Sequence, residues 1–542
     1  MQKKMSMTKL TNKSLNKVSC SIFIVIGAFL IFLLSYDFRF LVADDYLINY
    51  IINGNYGTGY NQISNPYLNG ILMLLISTLK NIMPIFNWYY IYLFTSLLIS
   101  FIILHVIMFK NKLPYYSHIF LIISQILLSI TITYTIIAYL LIFTGSILFL
   151  KSENKKEEIL SIILFILGNL TRDDVTITAI VLIVPIMLFE YIKNKNKKVI
   201  KLIMLLISIF IFANISNALI NSSNEIQKEY IKWNKDSTNI RDFLKINYEN
   251  FEESFKKINF SENDLNCFYS WMFSNKELYS SETLQTISSF TTFSQRYSLN
   301  PIFWIIMFFI NKFYLLYLLL IIFFIFTNKN KNKYFYLLIF SGLIELIALA
   351  TRKRFVLRVI LPIIFINICC ILLYENKIYI KKSFKKLTNL IAPIVLVLSS
   401  IFILLQHNEI LFPKSIDTGN VYDYIKENED TLFICDEFNT EININKQNLI
   451  LDQNNKLNNL ISLGNWSTFS VQYYYILDKY NVKNKDNLYD AIVYEDINFI
   501  SYNEIERNYF KTYLKEHYNN YILNEIYNEG NVIIYSVKKG EN

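Results

Sequence analysis

The stretch VSCSIFIVIGAFLIFLLSYDFRFLVADDY, residues 18–46, decides how this chain folds. Its first part, 18–34, carries no charge and is long enough for a helix to cross most of a bilayer's hydrocarbon core. No small-residue cleavage site follows it, so we interpret it as an uncleaved first transmembrane helix. The two adjacent carboxylates, Asp44 and Asp45, come a few residues after that helix ends.

The rest of the chain repeats the apolar pattern of this first helix. Of its 542 residues, 53% are hydrophobic and only 18% are charged, whereas soluble domains carry about 25% charged residues. Apolar runs of about 15 to 27 residues recur up to residue 405, as membrane-spanning helices require. We therefore predict a mainly α fold, a polytopic helical bundle in a membrane.

The placement of lysine predicts the topology, because cytoplasmic loops carry an excess of basic residues. If all Lys-rich linkers are cytoplasmic, an even number of helices must cross between consecutive linkers. The segment 68–83 is bounded by Pro66 and Pro84, and we predict that it lies on the outer surface. This leaves about 11 crossings, with the N-terminus inside. The Lys-rich linkers lie at 1–17, 110–112, 151–156, 193–201, 329–333 and 377–386.

These crossings divide the chain into two predicted domains. Residues 1–405 form a transmembrane module with large external loops at 37–87 and 219–300. Residues 406–542 turn polar and mix strand-like with helix-like patterns, which predicts an α/β domain on the extracytoplasmic side. The expected location is a bacterial cytoplasmic membrane.

The net charge of +9 does not indicate a nucleic-acid partner, because the basic residues form no helix face with interleaved aromatic residues. The predicted cytoplasmic linkers use lysine alone. Five of the eight arginines fall instead at the predicted outer membrane face. Arginine offers a planar fork that matches phosphate oxygens, so we infer a phosphate-bearing ligand at that face.

Asp44 and Asp45 are the first candidate catalytic residues, because carboxylates at a membrane interface cost desolvation free energy. One could act as a general base on an acceptor hydroxyl while the other orients that hydroxyl or binds a divalent cation. The alternative is a solvated turn, or an N-cap of a helix that begins near Tyr46. Tyr46 is counted with the candidate binding residues.

Arg172, Asp173 and Asp174 interrupt a stretch that is otherwise apolar from Ile159 to Phe189. Counting crossings places this break at the same face as Asp44. The preceding helix is predicted to be short, about 13 residues or roughly 20 Å. The group could bind substrate, or it could be an ordinary turn with an Arg–Asp pair.

A basic cluster, Arg352, Arg354 and Arg358, falls at the same predicted face, against the usual excess of positive charge inside. Arg354 and Arg358 are four positions apart and share a helix face. Such a cluster calls for an anionic partner, which could be a ligand phosphate, lipid headgroups or Glu345.

Four features of the chain are the first helix, the external Ala43-Asp44-Asp45-Tyr46, the many further helices and the polar C-terminal domain. In these features together the chain resembles the GT-C class of integral-membrane glycosyltransferases. The resemblance covers about 17–405 and is closest to bacterial surface-polysaccharide or O-antigen glucosyltransferase-type proteins. It implies a sugar donor carried on a polyprenyl phosphate and an acceptor that is a glycan, a lipid or a protein.

Within that resemblance, Asp44 or Asp45 matches the acidic general base or acceptor-orienting group. Arg352, Arg354 and Arg358 correspond by location to residues that hold the lipid phosphate, and no cofactor is implied beyond a candidate divalent cation. The alternatives are a lipid-linked glycan polymerase or ligase, and a flippase. A flippase places charges midway along helices and often has inverted repeats, whereas the charges here gather at one face.

Overall fold

The structure, a computed structural model of the chain, describes residues 2–40, 42–54, 65–291, 300–311, 333–352, 356–374, 420–436, 447–451, 458–495 and 497–540, with a few single residues between 394 and 405. The predicted boundary at 405/406 lies next to residues outside these ranges, so the division into two domains stays a prediction.

The first half of the chain is a bundle of helices joined by short turns. The expectation of a mainly α fold is confirmed in this region. The nine helices among its described residues are α1 Gln2–Ser35, α2 Ala43–Ile52, α3 Gly70–Ile82, α4 Trp88–Lys110, α5 Tyr115–Ile130, α6 Tyr134–Lys151, α7 Lys155–Thr171, α8 Asp174–Ile192 and α9 Lys198–Asn221.

Among the described residues, five helices are long and apolar enough to cross a membrane. Shorter apolar helices include α3 and α5, and the predicted total of about 11 crossings includes segments outside the described residues. Helix α3 has 13 residues, about 20 Å, which is shorter than the hydrocarbon core. The five long segments are Asn16–Ser35, Trp88–Lys110, Tyr134–Lys151, Asp174–Ile192 and Lys198–Asn221.

Helix α6 lies at the centre of the bundle. Every residue from Tyr134 to Leu150 is buried, as expected of a helix that is apolar on all sides. Helix α7 packs closely along it, and a Cβ added at Gly168 would lie 2.7 Å from the Ile142 side chain. A small residue at this point lets the two backbones approach, which brings the end of α7 against the start of α6.

The outer helices leave large apolar side chains uncovered. Phe23 and Leu34 of α1 are 78% and 87% exposed, and Leu219 of α9 is 67% exposed. Such surfaces are unusual for a soluble monomer, but they are what lipid-facing helices present.

Lysine and glutamate side chains meet at one end of the bundle. Lys110 at the end of α4 pairs with Glu157 at 2.9 Å, and Lys198 at the start of α9 pairs with Glu158 at 2.7 Å. Lys151, at the end of α6, pairs with Glu190 at 2.5 Å. The linkers 110–112, 151–156 and 193–201 therefore share one end, and the α6 N-terminus lies at the other.

The segment after α9 forms a small helical layer. A π-helix, Asn239–Leu244, and a short 3₁₀ helix, Glu249–Phe251, lie between its α-helices. The layer spans residues 225–289, and three apolar helices follow it in the described part of the chain. The helices are α10 Glu225–Thr238, α11 Glu252–Lys257, α12 Glu262–Tyr269, α13 Ser281–Ser289, α14 Pro301–Asn311, α15 Lys333–Thr351 and α16 Leu357–Tyr374.

The C-terminal region contains a five-stranded mixed sheet with the order β2-β1-β3-β5-β4. Strand β1 is parallel to β2 and β3, and β5 is antiparallel to β3 and β4. The expected α/β content is confirmed. The elements are α17 Val421–Glu427, β1 Phe433–Cys435, β2 Leu460–Ser462, α18 Val471–Lys479, α19 Leu488–Tyr494, β3 Asn498–Ser501, α20 Glu504–His517, β4 Tyr521–Glu529 and β5 Val532–Lys539.

The helical layer and the C-terminal region pack directly on each other. His517 of α20 contacts Asp264 of α12 with Nε2 and Oδ1 2.8 Å apart. Burial lowers the pKa of His517, but the hydrogen bond and charge of Asp264 outweigh it, so the net pKa is raised. The segment 447–451 reaches the bundle instead of joining the sheet, since the amide of Leu451 donates to the Ile85 carbonyl at 2.9 Å.

Candidate active site

Asp44 and Asp45 lie in the first turn of α2, which begins at Ala43 after the extended residue Val42. The helix therefore starts earlier than the expected position near Tyr46, and neither carboxylate is its N-cap. Carboxylates are favourable in a first turn because the helix dipole is positive there. Both side chains are buried, so the alternative of a solvated turn is wrong.

Asp44 forms an ion pair with Arg358 of α16. The guanidinium Nη1 lies 2.9 Å from Asp44 Oδ2, and the two side chains are only 12% and 11% exposed. The hydroxyl of Tyr134, at the first position of α6, also donates to Oδ2 at 3.4 Å. The anionic partner of Arg358 is therefore Asp44 and not Glu345.

Asp45 has a different environment, although it is the next residue. It is fully buried, and its Oδ1 accepts hydrogen bonds from the Tyr89 hydroxyl at 2.6 Å and from the Tyr134 amide at 3.0 Å. It thus satisfies a backbone donor at the N-terminus of α6. Its Oδ2 is buried and accepts no hydrogen bond from the described residues. These contacts indicate a positioning role for Asp45.

Burial raises the pKa of Asp45 to about 7, against hydrogen bonds from Tyr89 and Tyr134 that lower it. A carboxyl with a raised pKa contributes stability below its unfolded pKa and loses it as the pH rises through the folded pKa. The wild type should therefore lose stability as the pH rises from about 4 to about 7, by at most about 4 kcal/mol. In Asp45→Asn this pH-dependent loss should be absent. The measurement is the thermal unfolding midpoint in detergent across this range. A wild-type-to-variant difference that does not change with pH would contradict the assignment.

Arg172 joins the turn after α7 to the same group of side chains. Its Nε and Nη2 hold Asp174 in a bidentate pair at 2.7 and 3.0 Å. Its Nη1 donates to the Thr135 hydroxyl at 2.7 Å and to the Tyr134 hydroxyl at 3.4 Å. Tyr134 therefore bridges Arg172 to Asp44. Helix α7 has 17 residues, so the expected length of about 13 was too short.

The remaining candidate residues have separate environments. Asp173 is the N-cap of α8 and accepts from the amide of Asp174 at 2.8 Å, and burial raises its pKa, with the charge of Asp174 adding to the effect. Tyr46 is buried and stacks on Tyr50 with ring centroids 6.0 Å apart. Arg352 is exposed at the end of α15. Arg354 lies outside the described residues.

A small cavity of about 20 Å³ opens beside Asp44, enough for about one water molecule. Asp44 and Leu47 of α2 line it, together with Trp271 and Trp466 from later in the chain. Asp45 is not among the lining residues. The carboxylate that faces the cavity is therefore the one that carries the arginine partner.

Sequence reasoning missed Tyr89, Tyr134 and Trp466. Among 40 tyrosines and five tryptophans, nothing in their local sequence distinguishes them. The one available signal for Tyr134 was its place at the start of an apolar run on the same predicted face as Asp44.

The candidate divalent cation was expected at Asp44 and Asp45. Among the described residues, the group of three side chains that could hold a metal is a different one, Asp264, Glu516 and His517, whose ligand atoms lie within 4.8 Å of one another. Asp44 is instead balanced by Arg358, so the cation stays a prediction.

Comparison with protein-family models and with curated proteins gives no relative on which to base a function. No protein-family model matches the chain, and no curated protein matches it. The function must therefore be argued from the geometry of Asp44, Arg358 and their neighbours.

Proposed function

We propose that the protein is a membrane glycosyltransferase that transfers a sugar from a polyprenyl-phosphate donor to an acceptor on the extracytoplasmic face. The observation that carries the proposal is the buried pair of Asp44 and Arg358, 2.9 Å apart, beside a cavity at the ends of apolar helices. A general base and a cation side by side at the ends of membrane helices suit a substrate whose phosphate is anchored in lipid and whose sugar is not.

The proposed reaction uses the negative charge of Asp44 and the positive charge of Arg358 for different steps. An acceptor hydroxyl oxygen forms a bond to the anomeric carbon of the donor sugar, and its proton passes to the Asp44 carboxylate. The bond between that carbon and the phosphate oxygen breaks, and polyprenyl phosphate leaves with the electron pair. Arg358 and Arg172 stabilise the negative charge that develops on the phosphate.

Arg358 can serve both partners because a guanidinium carries five N–H donors. It donates to Asp44 through Nη1, and its other N–H groups can donate to a phosphate oxygen. Tyr134 links Asp44 to Arg172, so both arginines can respond to the same substrate.

The composition of the surface glycan in cells tests the proposal. Deleting the gene should remove one sugar residue from a surface glycan, and expression of the wild-type chain should restore it, whereas Asp44→Asn should not. Asp423→Asn is the matched control, since that carboxylate is exposed in the C-terminal region. An unchanged glycan, or a build-up of complete lipid-linked glycan inside the cell as expected of a lost flippase, would overturn it.

A further inference from the structure

Five exposed apolar residues gather where the helical bundle meets a segment of the C-terminal region. Ile82, Met83 and Ile85 come from the end of α3 and the turn after it. Leu449 and Ile450 come from the segment 447–451. Each of the five residues is between 45% and 70% exposed. We call this group the rim patch, and its five side chains carry no charge.

Backbone hydrogen bonds join the two parts of the rim patch. The amide of Leu451 donates to the carbonyl of Ile85, and the amide of Asn87 donates to the carbonyl of Leu449, each at 2.9 Å. Together they form an isolated antiparallel bridge between the two segments. The rim patch is therefore one continuous surface, and soluble monomers rarely expose large apolar patches of this kind.

The segment 447–451 lies at the end of the bundle opposite the lysine–glutamate pairs. The amide of Gln447 donates to the carbonyl of Phe38, just beyond the end of α1, at 2.8 Å. The ring of Phe38 lies 5.3 Å from that of Tyr90, in the first turn of α4, whereas the other end of α4 is Lys110. The segment therefore lies across the ends of two apolar helices, at the level where these helices leave the hydrocarbon core.

Both ends of α3 lie at this same end of the bundle. Before its first residue, the amide of Asn69 donates to the carbonyl of Leu170, in the last turn of α7, at 3.0 Å. After its last residue, the chain enters α4 at Asn87, whose side chain caps that helix. Helix α3 therefore does not reach the lysine–glutamate end, and its C-terminal turn stays close to the segment 447–451.

Aromatic residues flank the rim patch. The rings of Phe86 and Trp88 lie 5.9 Å apart, edge to face, and the Nε1 of Trp88 donates to the carbonyl of Met83 at 3.0 Å. Tryptophan is enriched where a membrane meets water. Leu34, in the last turn of α1, is 87% exposed, so the exposed apolar surface of the outer helices extends to the same level.

We propose that the rim patch is a membrane-binding surface, and that residues 447–451 attach the C-terminal region to the lipid of the leaflet on the Asp44 side. Lipid is the partner that the position favours, because the patch lies where the apolar helices end. The bonding of the backbone favours it too. The four backbone groups of the bridge are paired with each other, as contact with hydrocarbon requires.

Collision measurements on spin labels test this in the full chain in liposomes. One label is placed at Ile450→Cys and, in a second protein, at Ile82→Cys, both with Cys20→Ser because Cys20 is the exposed cysteine. We expect both labels to collide more with oxygen, which concentrates in lipid, than with a water-soluble nickel chelate. Ile522→Cys is the matched control, since it is exposed on β4 opposite Lys538, and its label should show the reverse order.

Greater collision with the nickel chelate at either position of the rim patch would place it in water and overturn the proposal. Low collision with both reagents would mean that protein covers the patch, and dipolar coupling between labels on separate copies would identify a second copy. Both results would also overturn it.

Ile450→Glu provides a measurement without a label. A carboxylate is costly in lipid, so we expect the unfolding midpoint of this variant in nanodiscs to fall further than that of Ile522→Glu. Equal shifts in the two variants would contradict the proposal. None of these results depends on sugar transfer, so the membrane-binding surface and the proposed enzyme are tested separately.

Discussion

Asp44→Asn is expected to lower the rate of sugar transfer by about 100-fold or more, the usual contribution of a general base. The amide keeps the size of the side chain and can still accept from Tyr134 and Arg358, but it cannot take the acceptor's proton. The measurement is kcat of the purified protein with a polyprenyl-phosphate sugar and its acceptor. The midpoint of thermal unfolding should also fall, because the buried Arg358 guanidinium loses its charged partner, so kcat is measured well below the midpoint of the variant.

Asp45→Asn is the sharpest comparison for this prediction. Asp45 is adjacent in sequence, but its Oδ1 accepts from the Tyr134 amide at the start of α6 and it does not line the cavity. We expect the Asp45 variant to retain far more activity than the Asp44 variant. Equal losses in both would contradict the assignment of the base to Asp44, and full activity in Asp44→Asn would exclude it.

Arg358→Ala is expected to have the second large effect, on both stability and donor use. Removing the guanidinium leaves the Asp44 carboxylate buried without its charged partner, which costs about 3 to 5 kcal/mol in comparable pairs. It also removes a group that stabilises the leaving phosphate. Arg358→Lys keeps the charge but loses the planar fork, so its losses should be smaller.

A double variant separates these two effects. Asp44→Asn combined with Arg358→Ala removes the unpaired charge, so the unfolding midpoint should return towards that of the wild type while transfer stays low. Arg507→Ala, in the C-terminal region, is the control for loss of an arginine. A purely structural ion pair would instead leave kcat and the donor KM of Arg358→Lys unchanged.

Much of the arrangement around Asp44 could be predicted from sequence because it depends on the order of helices along the chain. Alternating crossings place every second helix end on one face, so Asp44, Arg172 and Arg358 were expected there from the counting of linkers alone. Asp44 and Arg358 are 314 positions apart, and an even number of crossings between them predicts that they lie at the same face, although not that they are in contact.

The different environments of Asp44 and Asp45 could not be predicted in this way. Adjacent residues on a helix point about 100° apart, and which one faces the cavity depends on how α2 is rotated against α6. The lining of the cavity by two tryptophans could not be predicted from sequence either. Trp271 and Trp466 meet through backbone contacts of two segments with no shared sequence pattern, and the interfacial use of tryptophan gives the same local signal.

The most direct test of the account is the stoichiometry of the reaction with purified components. Proteoliposomes that contain the full chain would be given a polyprenyl-phosphate sugar with a labelled sugar and an acceptor glycan. Mass spectrometry would then count both products. We expect one free polyprenyl phosphate for each glycosidic bond formed, and we expect the amounts of both products to fall together in Asp44→Asn. Labelled donor that crosses the bilayer intact, or products formed equally by Asp44→Asn, would contradict it.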